Sequence, residues 1–416
     1  MSRHVVIVGA GVIGLSCAHY AIKRGWQVTV IERKPEVRDG CSFGNAGMVV
    51  PSHFTPLAAP GMVALGLRWM WNPESPFYIK PRFDLDLFKW AFQFWRSSTK
   101  SHVERSAPLI RDLSLQSRQC FVDLASQGLD FGLQKNGLLM LCRTQAGFEE
   151  EAHAAEKAHS LGLPADVLDP KALQSLDPGV TMSVAGGVFY SQDCHLSPSR
   201  YVAALQSSIR DHGGQFQWNT SITGWRKESG RIVAVQTDAG EIEADEFLLC
   251  GGSWSPDTVK TLGLKLPTQA GKGYSLTLDK PRQLPSICAI FTEARIAVTP
   301  MNGQLRFGGT MELAGLDETI TQRRVRGIIR AIPDYYPEFK TDDFEAIEPW
   351  HGLRPCSPDG LPYIGRTDRW KNLTIATGHA MMGLSLAPIT GMIVSQILCG
   401  DEPDISSSLL SPDRFG

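Results

Sequence analysis

Several features are missing from the sequence, and each absence excludes a class of protein. No apolar run reaches about 18 residues, so no helical membrane span is expected. The nine cysteines are odd in number and form no C-x-x-C pair, which favours reduced thiols over a disulfide framework or a metal site. A formal net charge of −2 provides no basic field for nucleic acid. The first apolar run begins at Val5, so we expect no signal peptide.

What is present is an ordinary globular composition, with 43% hydrophobic and 20% charged residues. The 416 residues are enough for about two to three domains. No internal repeat is visible. Function must therefore be sought in local motifs.

A strand–turn–helix–strand pattern opens the chain. Apolar residues 5–8 lead into Gly-x-Gly-x-x-Gly, a helix is predicted over 15–24, and a strand over 28–31 ends at Glu32. The three glycines permit, in order, a tight turn, close approach of a pyrophosphate and close packing of helix on strand; they are Gly9, Gly11 and Gly14. Glu32 can accept hydrogen bonds from a ribose. The pattern predicts an adenine dinucleotide site, with NAD and FAD both open.

Two further stretches are typical of ligand-binding segments. Residues 40–47 form a glycine-rich loop of small residues, which lets the backbone approach a flat ligand. Near the C-terminus, the motif Gly-Leu-Arg-Pro-x-x-Pro-Asp-Gly at 352–360 precedes a strand over 373–376 and Thr-Gly-His at 377–379. A helix predicted over 384–398 would place backbone N–H groups where an anion can be held.

Between these motifs, periodicity predicts the remaining elements. We expect helices over 106–127, 145–161, 198–211 and 319–332, the last ended by Pro333, and strands over 137–142, 186–190, 233–237, 242–244, 246–254, 274–278, 295–299 and 305–309.

Four of the ten tryptophans fall in residues 65–71 and 87–95. We interpret both stretches as helices with aromatic faces in the core. The alternative is a surface that touches a membrane or an electron acceptor.

Together, the fingerprint with Glu32, the Ser-Phe-Gly-Asn-Ala-Gly loop at 42–47 and the Gly-Leu-Arg-Pro motif with Thr-Gly-His resemble the FAD-dependent D-amino acid dehydrogenases. These are related to glycine oxidase, sarcosine oxidase and D-amino acid oxidase. The resemblance runs from residue 5 to about 400. It implies an α/β and α+β fold: a discontinuous, Rossmann-like FAD-binding domain from residues 1–52, 191–265 and 345–416, and a mixed-sheet substrate domain from 53–190 and 266–344.

The resemblance also implies which residues surround the cofactor FAD. The pyrophosphate would face the fingerprint glycines, and the adenosine would lie near Glu32 and Arg33. The flavin ring and the nearby dinucleotide would contact Ser42, Asn45, Ala46, Gly47, Gly251, Trp254, Gly378, Met381, Met382, Gly383 and Leu384.

For the substrate, the resemblance implies that Arg354 binds the carboxylate. A structural arginine paired with Asp359 is the alternative. Met381 stands where glycine oxidase has a second arginine, which favours a more apolar substrate. His351, Tyr274 and His53 are candidates for orienting the amine.

The implied function is oxidative deamination of D-amino acids, with cyclic substrates such as D-proline or 4-hydroxy-D-proline favoured. We expect a quinone or respiratory-chain acceptor, and a cytoplasmic location with peripheral contact to the inner face of the membrane. The alternatives are an oxygen-using amino acid, sarcosine or glycine oxidase, an NAD-linked dehydrogenase, and a flavin-binding subunit of an electron-transfer complex.

Overall fold

The computed structural model describes residues 3–37, 39–70, 74–405 and 408–416. The helices are α1 Val12–Lys23, α2 Met62–Trp69, α3 Leu85–Ser97, α4 Lys100–Ser126, α5 Gln145–Ser160, α6 Pro170–Leu176, α7 Pro198–Asp211, α8 Ser255–Lys260, α9 Gln322–Tyr335 and α10 Ala387–Cys399. No helix of the described ranges is both long and apolar enough to cross a membrane.

Strands alternate with these helices along the chain. They are β1 His4–Val8, β2 Gln27–Ile31, β3 Met48–Val49, β4 Phe77–Ile79, β5 Leu138–Cys142, β6 Asp166–Leu168, β7 Gly186–Tyr190, β8 Cys194–His195, β9 Gln215–Gln217, β10 Ile222–Glu228, β11 Arg231–Thr237, β12 Gly240–Glu243, β13 Glu246–Leu249, β14 Gln269–Leu278, β15 Cys288–Phe291, β16 Ile296–Met301, β17 Gln304–Leu313, β18 Trp350–Cys356, β19 Tyr363–Arg366 and β20 Leu373–Thr377.

Sheet I has the strand order β19-β20-β13-β1-β2-β9. All of its neighbouring pairs are parallel except β19 with β20. Its central strands are buried on both faces, as their continuous apolar runs require. One face packs against α1, α7 and α10, and the antiparallel sheet β10-β11-β12 contributes to the apolar cluster on the other. Helix α10 lies so close to α1 that a Cβ on Gly391 would be 2.6 Å from the Ser16 carbonyl oxygen.

Sheet II is mixed, with the order β18-β14-β17-β16-β15-β5-β7-β6, and β4 pairs with β17 beside this path. The amphipathic helix α9 packs on this sheet, with Val325, Ile328 and Ile332 buried in the shared apolar cluster. Strand β18 belongs to sheet II, although residues 345–416 are assigned above to the FAD-binding domain. With the division given above, the FAD-binding domain would contribute one strand to sheet II. The division itself stays a prediction.

Most predicted elements are present, and the corrections concern their ends. The strand predicted over 246–254 ends at Leu249 and is followed by a single helical turn, Gly252–Trp254. Helix α9 continues through Pro333 to Tyr335, because a proline in the last turn removes only one intrahelical bond. Helix α4 begins at Lys100, where Thr99 accepts a hydrogen bond from the His102 N–H. Helix α10 begins only at Ala387, with Pro388 in its first turn, where proline is favoured.

The aromatic helices are only partly in the core, so the interpretation above is wrong for the outer face of α3 and for α2, which buries only Gly66 and leaves Leu67 59% exposed. Its inner face buries Leu87 and Trp90, and the Trp90 indole donates a hydrogen bond to the Cys356 carbonyl oxygen. Its outer face exposes an apolar stripe of Leu85, Phe88, Phe92 and Trp95. Trp71, from the neighbouring stretch, lies outside the described residues.

Close packing at the first turn generates a prediction. A Cβ on Gly14 would lie 1.9 Å from the Gly9 carbonyl oxygen, so Gly14→Ala must push α1 away from β1. We expect a loss of ~1–3 kcal/mol in the free energy of unfolding, measured by urea denaturation, together with loss of bound flavin.

Gly213→Ala is the matched control. Gly213 has φ +82°, and no atom outside its own chain neighbours lies within 4 Å of the position that a Cβ would take. The substitution therefore costs only backbone strain, ~1–2 kcal/mol, and should leave the flavin content unchanged. Full flavin content in Gly14→Ala protein would show that the close contact is unimportant for the site.

Candidate active site

The N-terminal turn brings the start of α1 to the wall of a cavity. Gly9 has φ +103°, and a Cβ on it would be 2.5 Å from the Cys250 carbonyl oxygen. Gly11 precedes α1 without a side-chain cap, and no acidic residue lies in the first turn of the helix. The helix N-terminus therefore offers N–H groups and partial positive charge to an anion.

The acid at the end of β2 is held next to this turn. Glu32 accepts hydrogen bonds from the Ala10 N–H at 2.9 Å and the Lys34 N–H at 3.0 Å. The guanidinium of Arg33 lies 3.7 Å from the centre of the Trp254 ring. A polar acceptor and a cation–aromatic pair thus line one end of the cavity, which suits a ribose and a planar base.

The glycine-rich loop is held by α1 on one side and by sheet II on the other. Ser42 Oγ accepts a hydrogen bond from the Val12 N–H at 2.9 Å, which ties the loop to α1. Arg306 on β17 donates to the carbonyl oxygens of Phe43 at 3.0 Å and Asn45 at 2.8 Å. Burial lowers the pKa of Arg306 to about 10, which still leaves it charged at neutral pH.

Sequence reasoning missed Arg306, because nothing near it in sequence marks it. The one available signal was indirect: a loop rich in glycine leaves carbonyl groups that need external donors. Trp350 completes the fixation, since a Cβ on Gly44 would be 2.0 Å from its ring.

A cavity of about 610 Å³ brings most of the predicted residues together. Its lining includes Gly9, Gly11, Glu32, Arg33, Ser42, Asn45, Gly251, Trp254, His351, Arg354, Gly383 and Leu384. The cavity thus runs from the N-terminal turn to the Gly-Leu-Arg-Pro motif. The sequence also predicted site residues that are not among its lining residues: Gly14, Ala46, Gly47, Gly378, Met381, Met382, Tyr274 and His53.

The residues outside the lining have identifiable positions. Gly47 and Gly378 have positive φ and pack against the Leu196 carbonyl oxygen and the Tyr363 ring. Met381 is 51% exposed, so its side chain does not form a buried wall. Met382 instead packs against two apolar clusters, one of which also contains Ala46.

Arg354 is a charged group in the cavity lining. It donates to the Thr310 carbonyl oxygen at 2.6 Å, and its guanidinium covers Gly273, where a Cβ would be 2.1 Å away. Burial lowers its pKa. Asp359 is paired with Arg414 at 2.8 Å, so the alternative of an Arg354–Asp359 pair is wrong.

Tyr274 has a structural set of partners. Its hydroxyl donates to Glu312 at 2.7 Å and accepts from the Thr321 N–H at 3.1 Å. Lys272, fully buried, lies 3.8 Å from the same carboxylate. This buried network occupies the Tyr274 hydroxyl, whereas His351 lines the cavity and remains a candidate for contact with a substrate.

The sheet order, the N-terminal turn and the cavity define a dinucleotide-binding oxidoreductase. A family model described as FAD dependent oxidoreductase matches residues 4–397, and the chain belongs to this family. D-amino acid dehydrogenases of Cereibacter sphaeroides and Agrobacterium fabrum are each 31% identical to it, covering 99% of this chain and 95% and 99% of theirs. Glycine oxidase from Geobacillus kaustophilus shares the fold, with a TM-score of 0.80, 22% identity and 99% of both chains covered.

These comparisons confirm the predicted resemblance, the fold class and FAD as the cofactor. The alternative of an NAD-linked dehydrogenase is therefore wrong. The cavity also fits FAD in its own right: the N-terminus of α1, which has no acidic residue in its first turn, meets it near Gly11, and Arg33 and Trp254 lie next to Glu32 in its lining. These residues would hold the diphosphate and the adenosine, and the loop at 42–47 would adjoin the flavin ring.

Glu32 provides a test of this placement. We expect Glu32→Ala to weaken FAD binding ~10- to ~100-fold, because a hydrogen bond to a charged group contributes ~1.5–3 kcal/mol. The dissociation constant is measured by flavin fluorescence on reconstituted apoprotein.

Glu36→Ala is the control, since Glu36 is a neighbouring acid that pairs with Arg210 at the surface. Unchanged FAD affinity in Glu32→Ala would place the ribose elsewhere.

Proposed function

We propose that the protein catalyses FAD-dependent oxidative deamination of D-amino acids. The observation that carries the proposal is Arg354, a half-buried guanidinium that lines the same cavity as Glu32. The names of the 31% identical relatives support the same substrate class. The product imino acid would hydrolyse to a 2-oxo acid and ammonia.

Arg354 suits a carboxylate for geometric reasons. A guanidinium has five N–H donors in a planar fork, and it matches the two oxygens of a carboxylate. One nitrogen donates to the Thr310 carbonyl oxygen, which fixes the side chain and leaves donors for a ligand. When bound, FAD supplies the hydride acceptor, and the residues of the chain bind and orient the substrate.

An apolar cluster next to the glycine-rich loop, outside the lining of the cavity that contains Arg354, supports a substrate with a ring or an alkyl side chain. Ala46, Met48, Ile290, Ala297 and Met382 belong to one apolar cluster next to the glycine-rich loop. We assign the apolar wall to this cluster rather than to the half-exposed Met381. Cyclic D-imino acids such as D-proline or 4-hydroxy-D-proline are the favoured substrates within this proposal.

The acceptor in this proposal is a quinone or a respiratory-chain carrier, reached at the inner face of the cytoplasmic membrane. The stripe on α3 supports it: Leu85, Phe88, Phe92 and Trp95 are between 57% and 76% exposed along one side of the helix. Lys89 and Arg96 flank the stripe and suit anionic headgroups. Trp90, on the inner side of α3, connects the helix to β18, which carries Arg354.

Arg354→Met tests the carboxylate assignment. Loss of one partner of a buried charge pair costs ~2–5 kcal/mol, so we expect anaerobic flavin reduction by D-amino acids to slow ~30- to ~4000-fold in second-order rate. The FAD content should stay normal. Arg354→Lys should retain part of the rate, because one ammonium cannot reproduce the fork.

An amine without a carboxylate is the control substrate, and its slow reaction should change little. A normal reduction rate per flavin in Arg354→Met would contradict the assignment. Faster reduction of wild-type flavin by glycine or L-amino acids than by any D-amino acid would contradict the proposed function.

The stripe on α3 generates a separate prediction. The double variant Phe88→Ser, Phe92→Ser should bind phosphatidylglycerol vesicles at least ~10-fold more weakly than wild type in co-sedimentation, because two aromatic rings no longer leave water. Reduction of a water-soluble quinone analogue should be unchanged.

The matched control is Val167→Ser, Leu284→Ser, which removes exposed apolar side chains elsewhere, 47% and 41% exposed. Equal loss in both double variants, or no vesicle binding by wild type, would exclude α3 as the contact.

A further inference from the structure

A buried acid, a serine and a histidine form a chain of hydrogen bonds just after the glycine-rich loop and β3. Asp193 Oδ1 accepts from the Ser52 N–H at 3.1 Å, and its Oδ2 is bonded to Ser52 Oγ. Ser52 Oγ is in turn 3.0 Å from His53 Nδ1. Within the described residues, His53 Nε2 has no hydrogen-bond partner. The atom is also not fully buried, so it faces accessible space.

This chain of groups is tied to the segment that follows the flavin loop. Strand β3 pairs with β8, which brings residue 193 next to the turn after β3. The Val50 N–H donates to Ser385 Oγ just before α10. Met48, Val50 and Phe54 share an apolar cluster with Ala46 and Met382. His53 therefore lies on the same segment as the proposed wall of the substrate pocket.

The protonation of Asp193 and the tautomer of His53 are coupled, because Ser52 between them has a single hydroxyl proton. When Asp193 is ionised, Ser52 donates to it, so His53 must donate from Nδ1 and its Nε2 carries a lone pair. When Asp193 is protonated, it donates to Ser52, Ser52 donates to Nδ1, and Nε2 carries the proton. The charge of Asp193 thus decides whether Nε2 accepts or donates a hydrogen bond.

We propose that Asp193, acting through Ser52, sets the tautomer of His53, and that His53 Nε2 accepts a hydrogen bond from the amino group of the substrate. The inference rests on the proposed function, and it assigns a positioning role to Asp193 and Ser52. The opposite tautomer is unproductive. An Nε2–H would repel the protons of a substrate ammonium. If the amine is neutral, the Nε2–H would donate a hydrogen bond to the amine lone pair, which must instead form the new C=N bond.

The surroundings allow this switch near neutral pH. Burial raises the pKa of Asp193 to about 7, against the opposing hydrogen bonds from Ser52 and the charge of Arg118 on α4. Burial, with the charge of Arg295, lowers the pKa of His53 to about 4, so the ring stays neutral and only its tautomer changes. The other titratable groups near Asp193 are Tyr190, Cys194 and Cys288.

Glu151 on α5 is the competing titratable group, because burial raises its pKa to about 7 as well and it lies near Arg295. Its influence must therefore be separated from that of Asp193 by a variant of its own.

The test is anaerobic stopped-flow reduction of the holoenzyme by saturating D-proline and D-alanine from pH 5.5 to 9.5. In wild type, the reduction rate constant should rise about tenfold as the pH increases through about 7, because one hydrogen bond to the substrate is gained and such a bond changes a rate constant by about that factor. Asp193→Asn and Ser52→Ala should lose the step. Asp193→Asn should stay on the slow plateau, since an asparagine NH₂ donates to Ser52 as the protonated acid does.

Three controls separate this from general damage. Ser52→Thr retains a hydroxyl and should keep the step. Glu151→Gln should also keep it. Ser114→Ala removes another buried hydroxyl, one with no partner among the described residues, and should change nothing.

A second measurement reads the tautomer directly. Holoenzyme labelled with ¹⁵N-histidine contains ten histidines, and the signal missing from His53→Gln identifies His53. Its ¹⁵N shifts should pass from the Nε2–H form to the Nδ1–H form between pH 6 and 8 in wild type, and should stay in the Nε2–H form in Asp193→Asn.

The outcomes are distinguishable. A pH step that survives in both Asp193→Asn and Ser52→Ala, or that disappears in Glu151→Gln, overturns the inference while leaving the proposed function intact. A tautomer that does not change with pH overturns it independently of catalysis. If no D-amino acid reduces the wild-type flavin, the proposed function and the amine contact both fail, and the ¹⁵N shifts alone decide the Asp193–Ser52–His53 coupling.

Discussion

The site depends on one contact, the hold of Arg306 on the glycine-rich loop. The loop belongs to the chain that leaves sheet I, and Arg306 belongs to sheet II. Two loop carbonyl groups accept hydrogen bonds from its guanidinium, and an aromatic ring lies against the loop where Gly44 has no side chain. Because the donor is charged and partly buried, these bonds are stronger than those between neutral groups. They fix the separation between the cofactor cavity and the face of sheet II that carries Arg354.

The parts of this arrangement that local chemistry determines could be predicted from the sequence. The turn at Gly9, the helix after Gly11 and the acid at Glu32 lie within thirty-two residues of the N-terminus, and each has a conformational reason to be where it is. The Gly-Leu-Arg-Pro motif indicated Arg354 in the same way. What could not be predicted are contacts between residues far apart in sequence. Arg306 and the pairing of Ser52 with Asp193 have no local signature, because each side chain is ordinary in its own segment.

The errors at helix ends have the same origin. Pro333 is a helix breaker by intrinsic preference, yet the apolar face of α9 against sheet II extends to Tyr335 and holds the last turn. Tyr274 stays a predicted site residue, although in the structure Glu312 and Thr321 engage its hydroxyl. On α3, aromatic residues occur on both sides of the helix, and residue type alone does not show which side meets the core.

The order of strands in sheet I has a consequence for biosynthesis. Strand β1 is flanked by β2 from the same end of the chain and by β13, which is translated more than two hundred residues later. Strand β20 and the helix α10 that packs on α1 follow later still in the sequence. The turn at Gly9 is thus translated long before the strands and the helix that pack around it. Such long-range pairing slows folding and leaves strand edges exposed to chaperones. The nucleotide fingerprint can therefore be present in a chain that has no cavity around it until these later segments have folded.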